Sequence, residues 1–378
     1  MRKYRALTFF MALTLLLSAL PVSVHAAEDP RFDGKTLEEI VSDFMEENSI
    51  YYEQLSFGYY NTVSGESYYF NGDNLITAAS LYKLPLNMYY SELIYRGEMT
   101  FDTEVCGYPY RVVQEQSLKY SNNELSEGMQ AQFGTYRDYR TALLPYLGET
   151  EETVPSKFFS VNEFSARQMI HCLKLLYEEP ERFPGVIENM MNAGKYKVFA
   201  LHETRYDMAN KYGFLHFEIG GAMYRINNDC AIVYTEDPFL LTALSCNLSA
   251  AAGTLSELCT LFCDYTNYQR AIRLEEEAAK HAAAEDLALS LASAEQEENA
   301  LAAEQAAALR LAALEESRAP EPQAAVPQTP AAAEPPSPEP FIPSAILWPL
   351  LTGILALAAA TVIIRKRKAK KRGSPDSV

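Results

Sequence analysis

The chain has 378 residues, 48 % of them hydrophobic, which is enough to bury a substantial core. Its formal net charge of -18 at pH 7 gives no support to nucleic-acid binding, and we interpret the Glu-rich segments as solubilising. Because the composition shifts strongly along the chain, we expect several regions rather than one domain.

The N-terminal residues 1–26 form the first region. They begin with basic MRKYR, continue with the apolar run ALTFFMALTLLLSALPVSV and end at a small-residue site. This pattern predicts a secretory signal peptide that is cleaved after Ala26. An uncleaved N-terminal anchor is the alternative, and the placement of the small residues disfavours it.

Residues 27–266 carry the patterns of a globular head. The segment from Thr36 to Asn48 has apolar residues at helical spacing, with Thr36 ahead of Glu39 as in a capping box. Tyr- and Phe-rich runs at 54–61 and 67–70, separated by Val-Ser-Gly, predict a β-hairpin.

Further elements of the head follow in chain order. They are a helix from Ser80, a loop-rich middle, a helix near 164–178, strands at NKYGFLHF, CAIVYTE and FLLTALSCN, and a helix from about Thr254. This order predicts a mixed α/β (α+β) fold in which helices flank a mostly antiparallel sheet.

The C-terminal regions suggest a stalk and an anchor. Residues 267–318 are rich in Ala, Glu, Leu and Gln and predict a long helix without a clean heptad, so self-association of the stalk stays open. Residues 319–343 form a Pro-rich linker, and 344–364 are long and apolar enough for a transmembrane helix. The basic tail 365–378 then stays cytoplasmic and the head faces outward.

The cysteines show no C-x-x-C pair and no accompanying histidine spacing, which argues against a zinc site. Export permits disulfides, but we expect buried free thiols. Cys230 and Cys246 lie on runs that we expect to be neighbouring antiparallel strands. The six are Cys106, Cys172, Cys230, Cys246, Cys259 and Cys263.

The motif S-x-x-K at Ser80 and Lys83 is the first candidate for chemistry. At the start of a helix, Lys83 lies one turn beyond Ser80 on the same face, where a desolvated amine is able to act as a base for the serine hydroxyl. Without further support, a serine helix cap with a surface lysine is the simpler explanation.

Two further motifs supply that support. S-x-N occurs at Ser121 to Asn123 and K-x-G at Lys211 to Gly213. S-x-N also occurs at 160–162, which we interpret as a helix cap, and at 245–247, which we interpret as part of a strand. The ordered set S-x-x-K, S-x-N, K-x-G resembles the class A β-lactamases and penicillin-binding D,D-peptidases.

The resemblance implies a role for each matching residue. Ser80 would attack a carbonyl, and Lys83 would help remove its proton. Ser121 would relay a proton to the leaving nitrogen, while Asn123 would hold the substrate amide and the Lys83 amine. Lys211, Tyr212 and Gly213 would bind substrate, with Lys211 facing a carboxylate and Gly213 leaving room along the strand. The backbone N–H groups of Ser80 and Phe214 would form the oxyanion hole, and no metal or organic cofactor is implied.

Three departures from the family pattern affect the expected activity. Tyr212 replaces the usual Thr or Ser of K-x-G, and the segment between Lys83 and Ser121 is shorter, which suggests a reduced helical subdomain. No E-x-x-L-N pattern follows Asn123, although Glu149, Glu151 and Glu152 lie in the corresponding region. Without that glutamate, a penicilloyl adduct should be long-lived.

These patterns lead to a functional hypothesis. The resemblance implies a membrane-anchored, extracytoplasmic serine hydrolase of a Gram-positive bacterium, acting on β-lactams or on peptidoglycan D-alanyl peptides. The alternative is a penicillin- or wall-sensing binding module with a degenerate site, in which acylation or docking is the signal for an antibiotic response.

Overall fold

The computed structural model describes residues 29–193 and 198–316. The predicted signal peptide at 1–26, the linker at 319–343, the apolar segment at 344–364 and the basic tail at 365–378 lie outside these residues. Among the helices that are described, none is both long and apolar enough to cross a membrane. The chain divides into two compact units, the first ending at Gln296 and the second beginning at Glu297.

The head is built from short helices and strands around one larger sheet. Its α-helices are α1 Leu37–Glu47, α2 Lys83–Tyr95, α3 Tyr110–Leu118, α4 Asn123–Ala131, α5 Tyr136–Leu143, α6 Ala166–Glu178, α7 Val186–Met191 and α8 Ala251–Glu316. Its strands are β1 Leu55–Asn61, β2 Ser67–Phe70, β3 Ile76–Thr77, β4 Glu104–Val105, β5 Tyr108–Pro109, β6 Glu163–Phe164, β7 Met208–Ile219, β8 Ala222–Val233 and β9 Phe239–Cys246.

The main sheet has five strands in the order β2-β1-β9-β8-β7, and every neighbouring pair is antiparallel. The predicted mixed fold with a mostly antiparallel sheet is therefore confirmed. β7 is an edge strand of this sheet. Two small antiparallel pairs, β3 with β6 and β4 with β5, lie outside it.

Both faces of the sheet are covered by helices because its central strands are apolar on both sides. Along β9, Leu240 and Leu244 pack into a core that includes Ile170 of α6, whereas Leu241 packs on the opposite face. That second face is covered by α1 and by the start of α8, where Phe262 stacks on Tyr59 with ring centroids 4.6 Å apart. Because side chains alternate along each strand, the strands contribute residues to two separate hydrophobic cores.

Several local predictions hold. Glu39 N donates to the Thr36 hydroxyl at 3.2 Å and Thr36 N donates to the Glu39 carboxylate at 2.8 Å, which is the expected capping box at α1. The predicted hairpin is β1 and β2, and the long helix begins at Ala251, three residues before the predicted start.

The start of the predicted strand CAIVYTE was wrong, because the strand begins well before Cys230. β8 begins at Ala222, after the Gly220–Gly221 turn from β7, where both glycines have positive φ as two-residue hairpin turns require. The polar run Asn227-Asn228-Asp229 breaks the hydrophobic pattern. Asn228 and Asp229 are nevertheless fully buried, because hydrogen bonds satisfy their side chains inside the fold.

All six cysteines are free thiols, as expected, but the expected burial fails for two of them. Cys106 and Cys246 are only half-buried. Cys230 and Cys246 do lie on neighbouring strands, where they face Thr242 and Ile226 rather than each other.

We expect the apolar face of α8 to be a main source of stability for the head. Leu258 is fully buried, whereas Leu309 of the same helix is 72 % exposed. Leu258→Ala should therefore lower the free energy of unfolding by about 2–5 kcal/mol, and Leu309→Ala should change it by less than about 0.5 kcal/mol. Urea denaturation of the two variants measures both values, and equal losses would contradict this assignment of the core.

Candidate active site

Ser80 lies in a 3₁₀ helix, Ala79–Tyr82, that leads directly into α2. The sequence predicted an α-helix from Ser80, but the α-helical hydrogen bonding begins only at Lys83. Ala79 has a φ of 48°, a left-handed conformation that is uncommon for a residue with a side chain. Such backbone conformations persist where the surrounding structure holds them, often at functional sites.

Two asparagines hold the segment 77–83 from outside; this segment carries the candidate nucleophile Ser80 and is called the nucleophile turn below. Asn162 Nδ2 donates to the carbonyl oxygen of Ala79 at 2.9 Å, and Ala78 N donates to the backbone oxygen of Asn162 at 2.9 Å. Asn228 Nδ2 donates to the carbonyl oxygen of Thr77 at 2.9 Å. The turn before Ser80 is therefore fixed by contacts from β8 and from the segment that precedes β6.

The role of Asn162 was missed by the sequence analysis, which interpreted 160–162 as a helix cap. The cap of α6 is Ser165, whose hydroxyl accepts from Gln168 N. The Asn162 Oδ1 atom is buried and has no hydrogen-bond partner among the described residues. No signal in the sequence points to its contact with Ala79, because the two residues are 83 positions apart.

Gly213 brings the edge strand β7 against the nucleophile turn. A Cβ atom at this position would lie 2.7 Å from the Ala78 oxygen and 3.1 Å from Ser80 N, both of which are backbone atoms. Only glycine permits this close approach. Gly213 was expected to leave room for substrate along the strand, whereas its close neighbours are backbone atoms of the segment that carries Ser80. The approach also brings together the segments that carry the two expected oxyanion donors, Ser80 N and Phe214 N.

Lys83 connects the second motif to the first. Its Nζ atom lies 2.6 Å from the Ser121 carbonyl oxygen, 3.2 Å from Ser121 Oγ and 2.6 Å from Asn123 Oδ1. Burial lowers the pKa of Lys83 to about 8. In the described part of the chain no hydrogen bond joins Lys83 to the Ser80 hydroxyl, so the expected direct contact is replaced by one to Ser121.

Lys211 approaches the same hydroxyl group from β7. Its Nζ atom donates to Ser121 Oγ at 3.1 Å and to the Tyr212 carbonyl oxygen at 2.8 Å. The side chain is fully buried, and burial together with the positive charge of Lys83 lowers the pKa of Lys211 to about 7. Two lysines therefore converge on one serine oxygen, and each disfavours the protonated form of the other.

A cleft of about 520 Å³ opens at this site. Of the predicted site residues, Ser80, Ser121, Asn123, Tyr212 and Phe214 line it. Lys83, Lys211 and Gly213 are instead buried behind the lining. The other lining residues are Tyr120, Val198, Leu201, Asn227 and Ala252.

The three glutamates considered as water-activating bases lie elsewhere. Glu149 Oε1 accepts from Gln168 Nε2 at 3.0 Å, Glu151 forms an ion pair with Arg137 at 2.7 Å, and Glu152 is exposed. Within the described ranges, 29–193 and 198–316, no aspartate or glutamate lines the cleft.

A buried carboxylate that the sequence analysis missed supports one wall of the cleft. Asp229 accepts hydrogen bonds from Asn210 Nδ2 and from Phe199 N, each at 3.0 Å. Burial raises the pKa of Asp229 to about 6. The bond to Phe199 fixes the short 3₁₀ helix Phe199–Leu201, which places Leu201 in the cleft.

Comparison with known proteins supports the same fold. Residues 34–129 match the model of a family described as the beta-lactamase enzyme family, and no curated protein matches the sequence. Among solved structures, the TLA-1 extended-spectrum β-lactamase is similar with a TM-score of 0.52 and 12 % identity, covering 61 % of this chain and 99 % of that one. The TLA-3 extended-spectrum β-lactamase has a TM-score of 0.50 and 11 % identity, with coverage of 61 % and 99 %. A β-lactamase from Chitinophaga pinensis has a TM-score of 0.49 and 14 % identity, with coverage of 61 % and 98 %.

The TLA-1 and TLA-3 similarities show that the head has the β-lactamase fold. The segment that matches the family model contains Ser80, Lys83, Ser121 and Asn123. The matched segment ends before Lys211, so the third motif lies outside it.

The two lysines predict a pH dependence of stability. Because their folded pKa values lie below 10.5, the unfolded chain binds more protons between about pH 7.5 and 9.5, and the free energy of unfolding should rise with pH across this window. Each lysine contributes a slope of at most about 1.4 kcal/mol per pH unit. Lys211→Met should reduce the slope measured by urea denaturation at successive pH values, and an unchanged slope would contradict the assignment.

Proposed function

We propose that the protein is a serine acyl-transfer enzyme whose Ser80 is acylated by β-lactams or D-alanyl peptides at the outer face of a membrane. The observation that carries this proposal is the convergence of Lys83, Asn123 and Lys211 around Ser121, in the cleft that Ser80 lines. Structural lysines rarely lie fully buried beside another lysine, since burial of each ammonium group opposes folding.

Acylation begins with attack of Ser80 Oγ on the carbonyl carbon of the substrate. A serine hydroxyl needs a base near neutral pH, and Lys83 suits this role because its lowered pKa leaves part of the population as the neutral amine. The amine takes the Ser80 proton as the new C–O bond forms, which requires the two groups to come within hydrogen-bond distance in the substrate complex. The developing oxyanion is stabilised by the N–H groups of Ser80 and Phe214, since Ser80 N lies in the first turn of a helix.

The leaving nitrogen then requires a proton as the C–N bond breaks. Ser121 Oγ is bonded to both Lys83 Nζ and Lys211 Nζ, so it is able to donate its own proton and recover one from Lys83. The product of this step is an ester at Ser80. The amine departs when the donor is a D-alanyl peptide, whereas it stays attached to the acyl group when a β-lactam ring opens. Water completes the reaction by hydrolysing the ester to a free acid and a regenerated serine.

The second step should be slow. Hydrolysis of the ester needs an activated water, and within the described residues the cleft offers no carboxylate to activate it. This observation favours a long-lived acyl-enzyme over efficient β-lactam hydrolysis. It also keeps the second candidate function open, in which a persistent acyl group at Ser80 serves as a signal of β-lactam or wall fragments.

The location of the reaction is inferred from the sequence. A cleavable leader at 1–26 and an apolar segment at 344–364 followed by a basic tail indicate export of the head, with the C-terminus in the cytoplasm.

Intact-mass analysis of the full-length chain after addition of benzylpenicillin tests the proposal. We expect an increase by the mass of one drug molecule that persists for hours, and no increase in the Ser80→Ala variant. Rapid loss of the adduct together with consumption of drug would indicate a β-lactamase with a base outside the described residues. No adduct under any condition would reject Ser80 as an acylated nucleophile.

Acylation of Ser80 should slow when the hydrogen-bond donor of Asn162 that faces the Ala79 carbonyl oxygen is replaced by an acceptor. In Asn162→Asp, a carboxylate oxygen replaces the Nδ2 donor opposite the Ala79 carbonyl, so the nucleophile turn should relax. We expect the rate constant for adduct formation to fall about 10-fold or more, because the loss exceeds that of one ordinary hydrogen bond.

Asn74→Asp serves as the control for this prediction. Asn74 is exposed, and the same change of charge there should leave the acylation rate unaltered. If Asn162→Asp acylates at the wild-type rate, the contact does not position Ser80.

A further inference from the structure

The Lys211 ammonium group donates its hydrogen bonds to atoms of the protein itself. Two of its three donors are used by Ser121 Oγ at 3.1 Å and by the Tyr212 carbonyl oxygen at 2.8 Å. The side chain has no exposed surface, and it is not among the residues that line the cleft. A substrate carboxylate in the cleft therefore has no direct access to this cation.

The ring of Tyr212 lies beside the same ammonium group. The Nζ atom of Lys211 lies 4.2 Å from the centroid of the Tyr212 ring, which is the arrangement of a cation–π contact. Tyr212 itself lines the cleft, and it occupies the motif position at which the family has Thr or Ser. The substitution replaces a small hydroxyl at the cleft by an aromatic surface.

The described wall of the cleft is also uncharged and largely apolar. Its described lining includes no charged residue, and four members are aliphatic or aromatic without a polar group: Val198, Leu201, Phe214 and Ala252. Leu201 is 53 % exposed and Phe214 is 56 % exposed. Large apolar side chains left open to solvent in a concave site are typical of surfaces that bind apolar groups.

We propose that this cleft selects acyl donors in which an uncharged, apolar substituent occupies the place of the carboxylate beside the scissile amide. The inference rests on the proposed function, because it concerns the substrate class of the same Ser80 site. Among the described lining residues there is no charged group to form a direct ion pair with an anion, so its desolvation is costly, whereas an apolar ester or amide substituent buries surface against Phe214 and Leu201. The bonds made and broken at Ser80 are the same for both kinds of donor.

A matched pair of ligands tests the inference without relying on turnover. Binding of benzylpenicillin and of its methyl ester is measured by isothermal titration calorimetry on the full-length Ser80→Ala variant, in which no acyl bond to residue 80 forms. We expect the ester to bind about 10-fold more tightly than the free acid. Equal or tighter binding of the acid would overturn the inference, and so would failure of both ligands to bind.

Variants of Tyr212 locate the source of the preference. In the Ser80→Ala background, Tyr212→Thr uncovers Lys211 and adds a small hydroxyl, so it should shift the ratio of the two dissociation constants toward the acid by about 10-fold. Tyr212→Phe keeps the ring and should retain the original ratio. Tyr108→Thr, at a tyrosine that is 53 % exposed and does not line the cleft, is the control and should also retain it.

The outcomes for this inference and for the proposed function are distinguishable. Absence of an adduct in the wild-type chain rejects acylation of Ser80 but leaves the binding preference of Ser80→Ala as a separate result. A preference for the ester that Tyr212→Thr leaves unchanged would overturn the role of the Tyr212 ring. If Tyr212→Thr does not fold, the ratio in Ser80→Ala with intact Tyr212 still decides for or against the apolar preference.

Discussion

The site depends on the burial of two lysine side chains beside a single hydroxyl group. Lys83 and Lys211 both bond Ser121 Oγ, and both side chains are fully buried. Since each positive charge makes protonation of the other lysine less favourable, the pair releases a proton more readily than an exposed lysine does. The fold supplies the compensation through carbonyl and amide oxygens of Ser121, Asn123 and Tyr212. An amine that is basic but partly neutral is the form that serine chemistry requires.

This arrangement requires three separate parts of the chain to meet closely. The nucleophile turn supplies Ser80 and Lys83, the start of α4 supplies Asn123, and the edge strand β7 supplies Lys211. Gly213 allows the edge strand to approach the turn. Asn162 and Asn228 hold the turn in position while Ala79 adopts a left-handed conformation. Strain at Ala79 is thus supported by neighbours from distant positions in the sequence, as expected for a preorganised site.

The two halves of the site differ in their relation to the family. The half that carries Ser80, Lys83, Ser121 and Asn123 falls within the segment matching the beta-lactamase enzyme family. The half formed by β7 departs from the family motif at Tyr212, which covers Lys211 and faces an apolar wall. The motif pattern is therefore matched at Ser80, Lys83, Ser121 and Asn123, while it is not matched at Tyr212 beside Lys211.

The sequence by itself determined the mostly antiparallel fold, because hydrophobic periodicity is a local property of the chain, and its motifs indicated the residues around Ser121 through their resemblance to a known family. The middle predicted as loop-rich contains the helices α3, α4 and α5. The sequence did not reveal that Lys83 bonds Ser121 rather than Ser80, that Asn162 holds the nucleophile turn, or that Asp229 is buried beneath the cleft wall. Those contacts join residues that are tens of positions apart, and their distances follow from how the strands and helices pack. Burial, which sets the pKa values of both lysines and removes Lys211 from the cleft, is likewise a property of the packed structure alone.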